Sequence, residues 1–261
     1  HDALPIWQIR YIAFESESVS LNGYTKFFIP GAYRAAIPAV TKVGTGSIFI
    51  PHIASDAQWW TGIGLVNTNP FPKSLTIRFN TGQEKVITLE AGEQTAFTVA
   101  SLFGNQSQPD ITSATIANGD GVIGLELFGS TSQLSGILLN GDTFATLHYP
   151  HVASTHEWWT GLVAYNPAAT ATLITIRPYD VDGNPLAASE QTIAAGGRFI
   201  GTSDALDLPV GTAWFSVEAS QPVTGFELFG TTDDQLLAGY NVGGAITRQG
   251  VFPKLEVSGW T

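Results

Sequence analysis

Apolar and polar side chains alternate along much of the chain with a period of two. Leu75, Ile77 and Phe79 are separated by Thr76, Arg78 and Asn80, the pattern of a strand with one buried face. Apolar residues at helical spacing are nearly missing. Turn-forming groups break the alternation at intervals of roughly 8–12 residues: Asn80-Thr-Gly, Glu90-Ala-Gly, Asn118-Gly-Asp-Gly and Asn140-Gly, then Asp182-Gly-Asn-Pro and Ala195-Gly-Gly. In the first half this predicts strands near 48–54, 59–67, 74–80, 84–89, 94–99, 112–117, 122–128 and 133–139, with a helical turn over Val99–Gly104. The fold class is all-β, built from antiparallel β-sandwich units of Ig-like or jelly-roll-like kind.

Self-comparison gives the organisation. Ile50–Asn67, IPHIASDAQWWTGIGLVN, returns 99 residues later as Tyr149–Asn166, YPHVASTHEWWTGLVAYN. Leu75–Arg78 meets Ile174–Arg177 at the same offset, and Gly124–Gly136 meets Gly225–Gly239 at an offset slightly longer. Two tandem modules are expected at 47–145 and 146–246, with an N-terminal arm over 1–46 and a C-terminal extra strand over 247–261.

The two ends depart from the repeat. Val251–Thr261 reads as the start of a third module, with Pro253 at the place of Pro51 and Pro150 and Trp260-Thr261 echoing Trp60-Thr61. The arm carries strand-like pieces at Trp7–Phe14 and Tyr24–Ile29. Sheet edges present unpaired backbone groups that a strand from a neighbouring chain can satisfy. The candidate assembly residues are therefore Trp7, Ile9 and Tyr11 in the arm and Val251, Phe252, Leu255, Val257 and Trp260 at the other end. Packing of both ends within their own chain is the alternative.

The 261 residues are 44% hydrophobic and 13% charged, with 11 Lys plus Arg against 22 Asp plus Glu and a net charge of -11. Apolar content is high enough for real cores, which excludes disorder, and the negative charge disfavours nucleic acid and anionic membrane surfaces. No apolar run is long enough to span a bilayer. Cys and Met are both absent, so disulfides, thiolate metal sites and Cys nucleophiles are excluded, and an oxidising setting suits the composition. Without an initiator Met the chain reads as the mature form of a secreted or cell-surface protein.

Chemistry-bearing residues recur at matched places. Adjacent strand residues point to opposite faces, so one Trp of each pair, Trp59-Trp60 and Trp158-Trp159, is expected inward and the other outward. The pairs serve packing or the module interface, or else form sugar-binding platforms. His52 and His151 are paired with Glu126 and Glu227 in the same modules. A structural His–Glu hydrogen bond is the simpler expectation, because a part-buried carboxylate needs a partner. Asp180-Val-Asp-Gly-Asn-Pro starts like a calcium loop but lacks the downstream Glu, and a hairpin turn accounts for it. His1 alone does not make a copper site. No nucleophile elbow, HExxH helix, P-loop or dinucleotide fingerprint occurs. No catalytic, metal or cofactor-binding residues are assigned.

The combination of Pro51, His52, Ala54, Trp60, Thr61, Gly62 and Asn67, returning as Pro150, His151, Ala153, Trp159, Thr160, Gly161 and Asn166, is similar to tandem modules of secreted and cell-surface bacterial proteins of uncharacterised role. The resemblance covers 47–246 and departs at the third copy, where Lys254 stands in place of His. It implies location and architecture and carries no activity. The expectation is a non-catalytic extracellular structural protein without cofactor, partnered by copies of itself in a filament or surface layer through strand exchange or β-augmentation. The alternative is a carbohydrate-binding or adhesive protein using exposed aromatics, with polysaccharide as partner.

Overall fold

A computed structural model of the chain describes residues 12–18, 21–29, 33–40, 43–153 and 155–244. Trp7, Ile9, Tyr11, Val251, Phe252, Leu255, Val257 and Trp260 lie outside these residues. The fold is all-β, with antiparallel sheets throughout.

In the first repeat, β3 (Ile48–Ile50), β8 (Ala114–Ala117), β5 (Lys73–Phe79) and β6 (Glu84–Leu89) form one sheet in that order. The other contains β10 (Leu134–Leu139), β9 (Val122–Gly129), β4 (Trp60–Asn67) and β7 (Gln94–Thr98). The expected helical turn is a 3-10 turn at Ala100–Phe103. Alternation sends Ile63 and Leu65 of β4 and Leu75, Ile77 and Phe79 of β5 into one core with Ile48, Ile50, Ile53, Leu89 and Ile116. That apolar face is what holds the two sheets together.

The second repeat follows the same path through β11 (Phe144–Tyr149), β12 (Trp158–Tyr165), β13 (Thr172–Tyr179), β14 (Ser189–Ile193), β15 (Arg198–Thr202), β16 (Trp214–Thr231) and β17 (Leu237–Asn241). Its core gathers Leu147, Tyr149, Leu162, Ala164, Ile174, Ile176, Phe215, Val217 and Val223. One difference is local. The Asn118-Gly-Asp-Gly turn, with Asn118 and Gly121 in the left-handed region, breaks β8 from β9. The second repeat has Ala219-Ser-Gln-Pro there and stays extended, so β16 serves both sheets. Its first half pairs β11 and β13, and its second half pairs β12 and β17.

The recurring motif residues are structural clamps. Thr61 Oγ1 accepts from the Ala54 amide at 2.9 Å and donates to its carbonyl at 3.0 Å. Thr160 does the same at Ala153, at 2.7 and 2.9 Å. The buried Asn67 amide donates to the carbonyls of Phe71, Leu89 and Glu90, and Asn166 donates to those of Thr170, Ile193 and Ala194. Each Asn pins the loop after its strand to the opposite sheet, which satisfies carbonyls the turn would otherwise leave unpaired.

In the arm, β1 (Tyr24–Ile29) and β2 (Tyr33–Pro38) form an antiparallel hairpin. The predicted strand at Tyr24–Ile29 is present. The described part of the other expected strand, Ile12–Phe14, is not in a strand, and both Ile12 and Phe14 are exposed.

Candidate functional site

The two repeats meet at a seam with an apolar cluster of its own. Leu162 and Ala164 of β12 belong to the second core, so Val163 between them points out of that sandwich. With Phe226 of β16 it meets Phe128 of β9 and Ile137 of β10 in a separate apolar cluster, with Leu228 against it. Phe226 stacks on Phe128 with centroids 5.2 Å apart and meets the His52 imidazole edge-on at 6.2 Å. His52 itself lies 5.7 Å from Phe128. Phe226 of the second repeat is thus wedged between two rings of the first. Phe49 and Tyr165 lie 5.9 Å apart beside it, and the Tyr165 hydroxyl hydrogen-bonds Thr115 Oγ1 at 3.1 Å.

Polar contacts fix the register of this seam. The Leu138 amide donates to Asn241 Oδ1 at 2.9 Å, and Asn241 Nδ2 donates back to the Leu138 carbonyl at 2.7 Å. Gln133 Nε2 donates to the Leu236 carbonyl, and Ser132 Oγ to that of Asp234. Strand β10 of one repeat therefore lies across β17 of the next.

The same seat occurs one repeat earlier. A Cβ placed on Gly239 of β17 would meet Leu228 Cδ2, the Glu227 carbonyl and, at 3.2 Å, Ser135 Oγ of β10. One placed on Gly136 of β10 would meet Leu127 Cδ2, the Glu126 carbonyl and, at 2.7 Å, Ile37 Cδ1 of β2. Glycine at each place lets the preceding strand approach. The hairpins also agree in register: Lys26 opposite Ala36, Glu126 opposite Ile137 and Glu227 opposite Tyr240 occupy one position. Hairpin β1–β2 corresponds to β9–β10 and to the end of β16 with β17. Sequence comparison missed this because the side chains differ; the shared signal is an aromatic residue one or two places before a Pro after each hairpin, at Phe49 and Pro51, Tyr149 and Pro150, and Phe252 and Pro253.

At the far end of the second repeat no described residue fills the matching place. His151 and Phe229, the counterparts of His52 and Phe128, meet edge-on at 5.9 Å. They line a groove of about 720 Å³ with Val152, Trp158, Val181 and Thr212. Phe128 and His52 are buried and half-buried, whereas Phe229 is half-buried and His151 exposed.

All four expected Trp residues are half-buried. Trp60 lies flat against the outer sheet face, where a Cβ on Gly62 would come within 3.0 Å of it and one on Gly129 would collide with the indole. Trp159 lies likewise on Gly161 and Gly230, at 3.1 and 2.9 Å. Trp158 points the other way into the groove, 6.4 Å from Phe229.

Glu126 and Glu227 are fully buried, and the expected hydrogen bonds to His52 and His151 do not form. Tyr240 O–H donates to Glu227 Oε2 at 2.5 Å. Burial raises that carboxyl to about 7, and the Tyr240 hydrogen bond opposes the rise. In the first repeat Ile137 stands where Tyr240 stands, so both Glu126 oxygens lack a hydrogen-bond partner. Desolvation pushes Glu126 well above the carboxylate range. His52 Nδ1 is likewise unpartnered. The two carboxyls sit inside packed sandwiches, and the His52 ring sits at the seam.

Among the described residues no three His, Cys, Asp or Glu side chains converge as a metal site. In the Asp180 loop, the carboxylate accepts from the amides of Asp182 and Asn184 and from Asn184 Nδ2, so its oxygens are committed to the turn. Among the described residues no helix is long and apolar enough to cross a membrane.

No protein-family model and no curated protein matches the chain. Among solved structures it is similar to a Parabacteroides merdae β-glucuronidase, at 13% identity over 76% of this chain and 27% of that one, with a TM-score of 0.19. A Bacteroides uniformis β-glucuronidase 2 bound to cyclophellitol-6-carboxylate aziridine gives 14%, 76%, 26% and 0.17, and a β-glucuronidase from glycoside hydrolase family 2 gives 11%, 76%, 24% and 0.18. The chain spans about a quarter of the length of these enzymes, and likeness at this level carries no argument about activity.

Proposed function

We propose that this is a non-catalytic extracellular structural protein, a unit of a filament or surface layer whose repeats join end to end. The observation that supports the reading is the seam, where the outer sheet face of one repeat caps the edge of the one before. Such an interface is heterologous, since donor and acceptor surfaces differ, and heterologous contacts extend instead of closing on a two-fold. Repeats that contact only their neighbours form quasi-linear arrays. The motif residues support the same reading: Ala54, Thr61, Asn67 and their counterparts are spent on internal hydrogen bonds.

Negative-stain electron microscopy of the purified protein over a concentration series tests this. Rods or sheets of regular width are expected, and uniformly single particles at every concentration would refute it.

Carbohydrate binding is the second reading. In its favour, Tyr179 and Trp214 stack in parallel across β13 and β16 at 4.0 Å, both half-buried. Rings stacked on each other leave at most one face each for a sugar ring. Binding to a polysaccharide panel that Trp214→Ala abolishes without loss of fold would favour this reading over the structural one.

A further inference from the structure

We infer that the groove at His151, Trp158 and Phe229 accepts the outer sheet face of the first repeat of a second copy of this chain, and that the β1–β2 hairpin is a cap that must leave that face before docking. The inference rests on the structural reading above and adds to it a surface, a partner and a gate.

The seam inside the chain is the template. There, the acceptor is the His52–Phe128 pair with the β10 edge, and the donor is the outer face of β12, β16 and β17 bearing Val163, Phe226 and Leu228. The second repeat rebuilds the acceptor from His151 and Phe229 at nearly the same ring separation, 5.9 against 5.7 Å. In the first repeat the donor ring fills the space; in the second, no described residue fills the groove.

The matching donor is the outer face of β4 and β9. Leu125 stands at the place of Phe226 and Leu127 at that of Leu228, and both are half-buried. Leu125 leans over Gly64, whose added Cβ would lie 3.3 Å from its Cγ. A second copy of the chain is therefore the partner whose surface already has the required shape.

That donor face is already occupied in cis. Ile37 of β2 is buried against Leu127 and Gly136, in the seat that β10 takes on the second repeat. A docking β17 edge and the hairpin claim the same strip of sheet, so only one can hold it. Terminal units with altered sequence commonly cap repeat arrays and limit their growth.

Sedimentation velocity over a concentration series, on the full chain, separates the outcomes. Ile37→Asp and Ile37→Ala both unseat the hairpin, the first by placing a charge in its buried contact and the second by removing the side chain that reaches Leu127 and Gly136, and neither alters the donor strip itself. Both are expected to tighten self-association by about tenfold or more over the parent chain. His151→Glu, at an exposed position, and Leu125→Asp should each remove that gain.

Monomers for both unseated variants overturn the proposal. So does association that His151→Glu leaves unchanged; in that case rods seen by microscopy would still support the structural reading through another contact. If residues after Gly244 of the same chain fill the groove, His151→Glu lowers monomer stability without altering sedimentation, and the proposal also fails.

Discussion

Replacing Glu227 by Gln should abolish a specific fall in stability with rising pH. The Glu227 carboxyl is fully buried, opposite Leu162 on one side and Tyr240 on the other, and burial lifts it from 4.5 to about 7. A raised carboxyl pKa means that the folded chain holds the proton more tightly than the unfolded chain does. Between pH 4.5 and 7 the native state therefore binds more protons, and stability falls as pH rises through that window. The size follows from the gap between the two values, at ~1.4 kcal/mol per pKa unit, and comes to about 3 kcal/mol. That contribution is fully present below pH 4.5 and lost above pH 7. Urea unfolding of parent and Glu227→Gln at pH 5, 6, 7 and 8 reads it directly. The parent midpoint should drop across the series relative to the variant and then run parallel above pH 7. Tyr240→Phe removes the hydrogen bond that favours the carboxylate, so it should move the drop to higher pH. Parallel curves for parent and Glu227→Gln over the whole series would refute the reasoning.

Other perturbations follow from the same contacts. Phe226→Ala empties the space between Phe128 and His52; the expected cost is about 3–5 kcal/mol, and calorimetry should resolve two transitions for the variant and one for the parent. Gly129→Ala forces a Cβ into the Trp60 indole and should destabilise by about 1–3 kcal/mol, with a change in near-UV dichroism; an unchanged melting temperature would remove the packing role assigned to that Trp. Asn166→Ala withdraws donors from three carbonyls and should cost about 1–3 kcal/mol, whereas substitution of the exposed Gln191 on β14 should leave chemical denaturation unmoved.

Strand positions were legible because the driving physics is local. Alternation marks one buried face, and the turn groups end each run, so Leu75, Ile77 and Phe79 and the Asn118-Gly-Asp-Gly break could be placed from residue order alone. Alternation also separates Trp158, in the groove, from Trp159 on the outer face, although none of the four Trp side chains is core. What the sequence hid depends on neighbours distant along the chain. Nothing near Glu227 in sequence marks Tyr240 as its partner, and the absence of a partner for Glu126 becomes visible only when Ile137 is found at the equivalent place. The expected His–Glu bond failed because His52 is held among aromatic rings at the seam. The hairpin at 24–38 escaped comparison because its Lys26 and Ala35 differ from Glu126 and Gly136, although its register is the same.

The differences between equivalent positions carry the assembly argument further than the identities do. Phe128 and Phe229 are conserved as rings between the two copies, and so are His52 and His151, which preserves an acceptor at both ends of the repeat pair. The donor is less constant: Phe226 within the chain becomes Leu125 on the outer face, a smaller apolar side chain on the strip whose Leu127 and Gly136 meet Ile37 of the β1–β2 hairpin. An aromatic wedge suits a joint that never opens, because stacked rings add about 0.5–1.5 kcal/mol beyond their buried area. Leucine lacks that increment and suits a face that exchanges one cover for another. If that is why the two positions differ, Leu125→Phe should strengthen association of the Ile37→Asp chain with little effect on the capped parent. Equal strengthening in both backgrounds would show that the hairpin does not control access to that face.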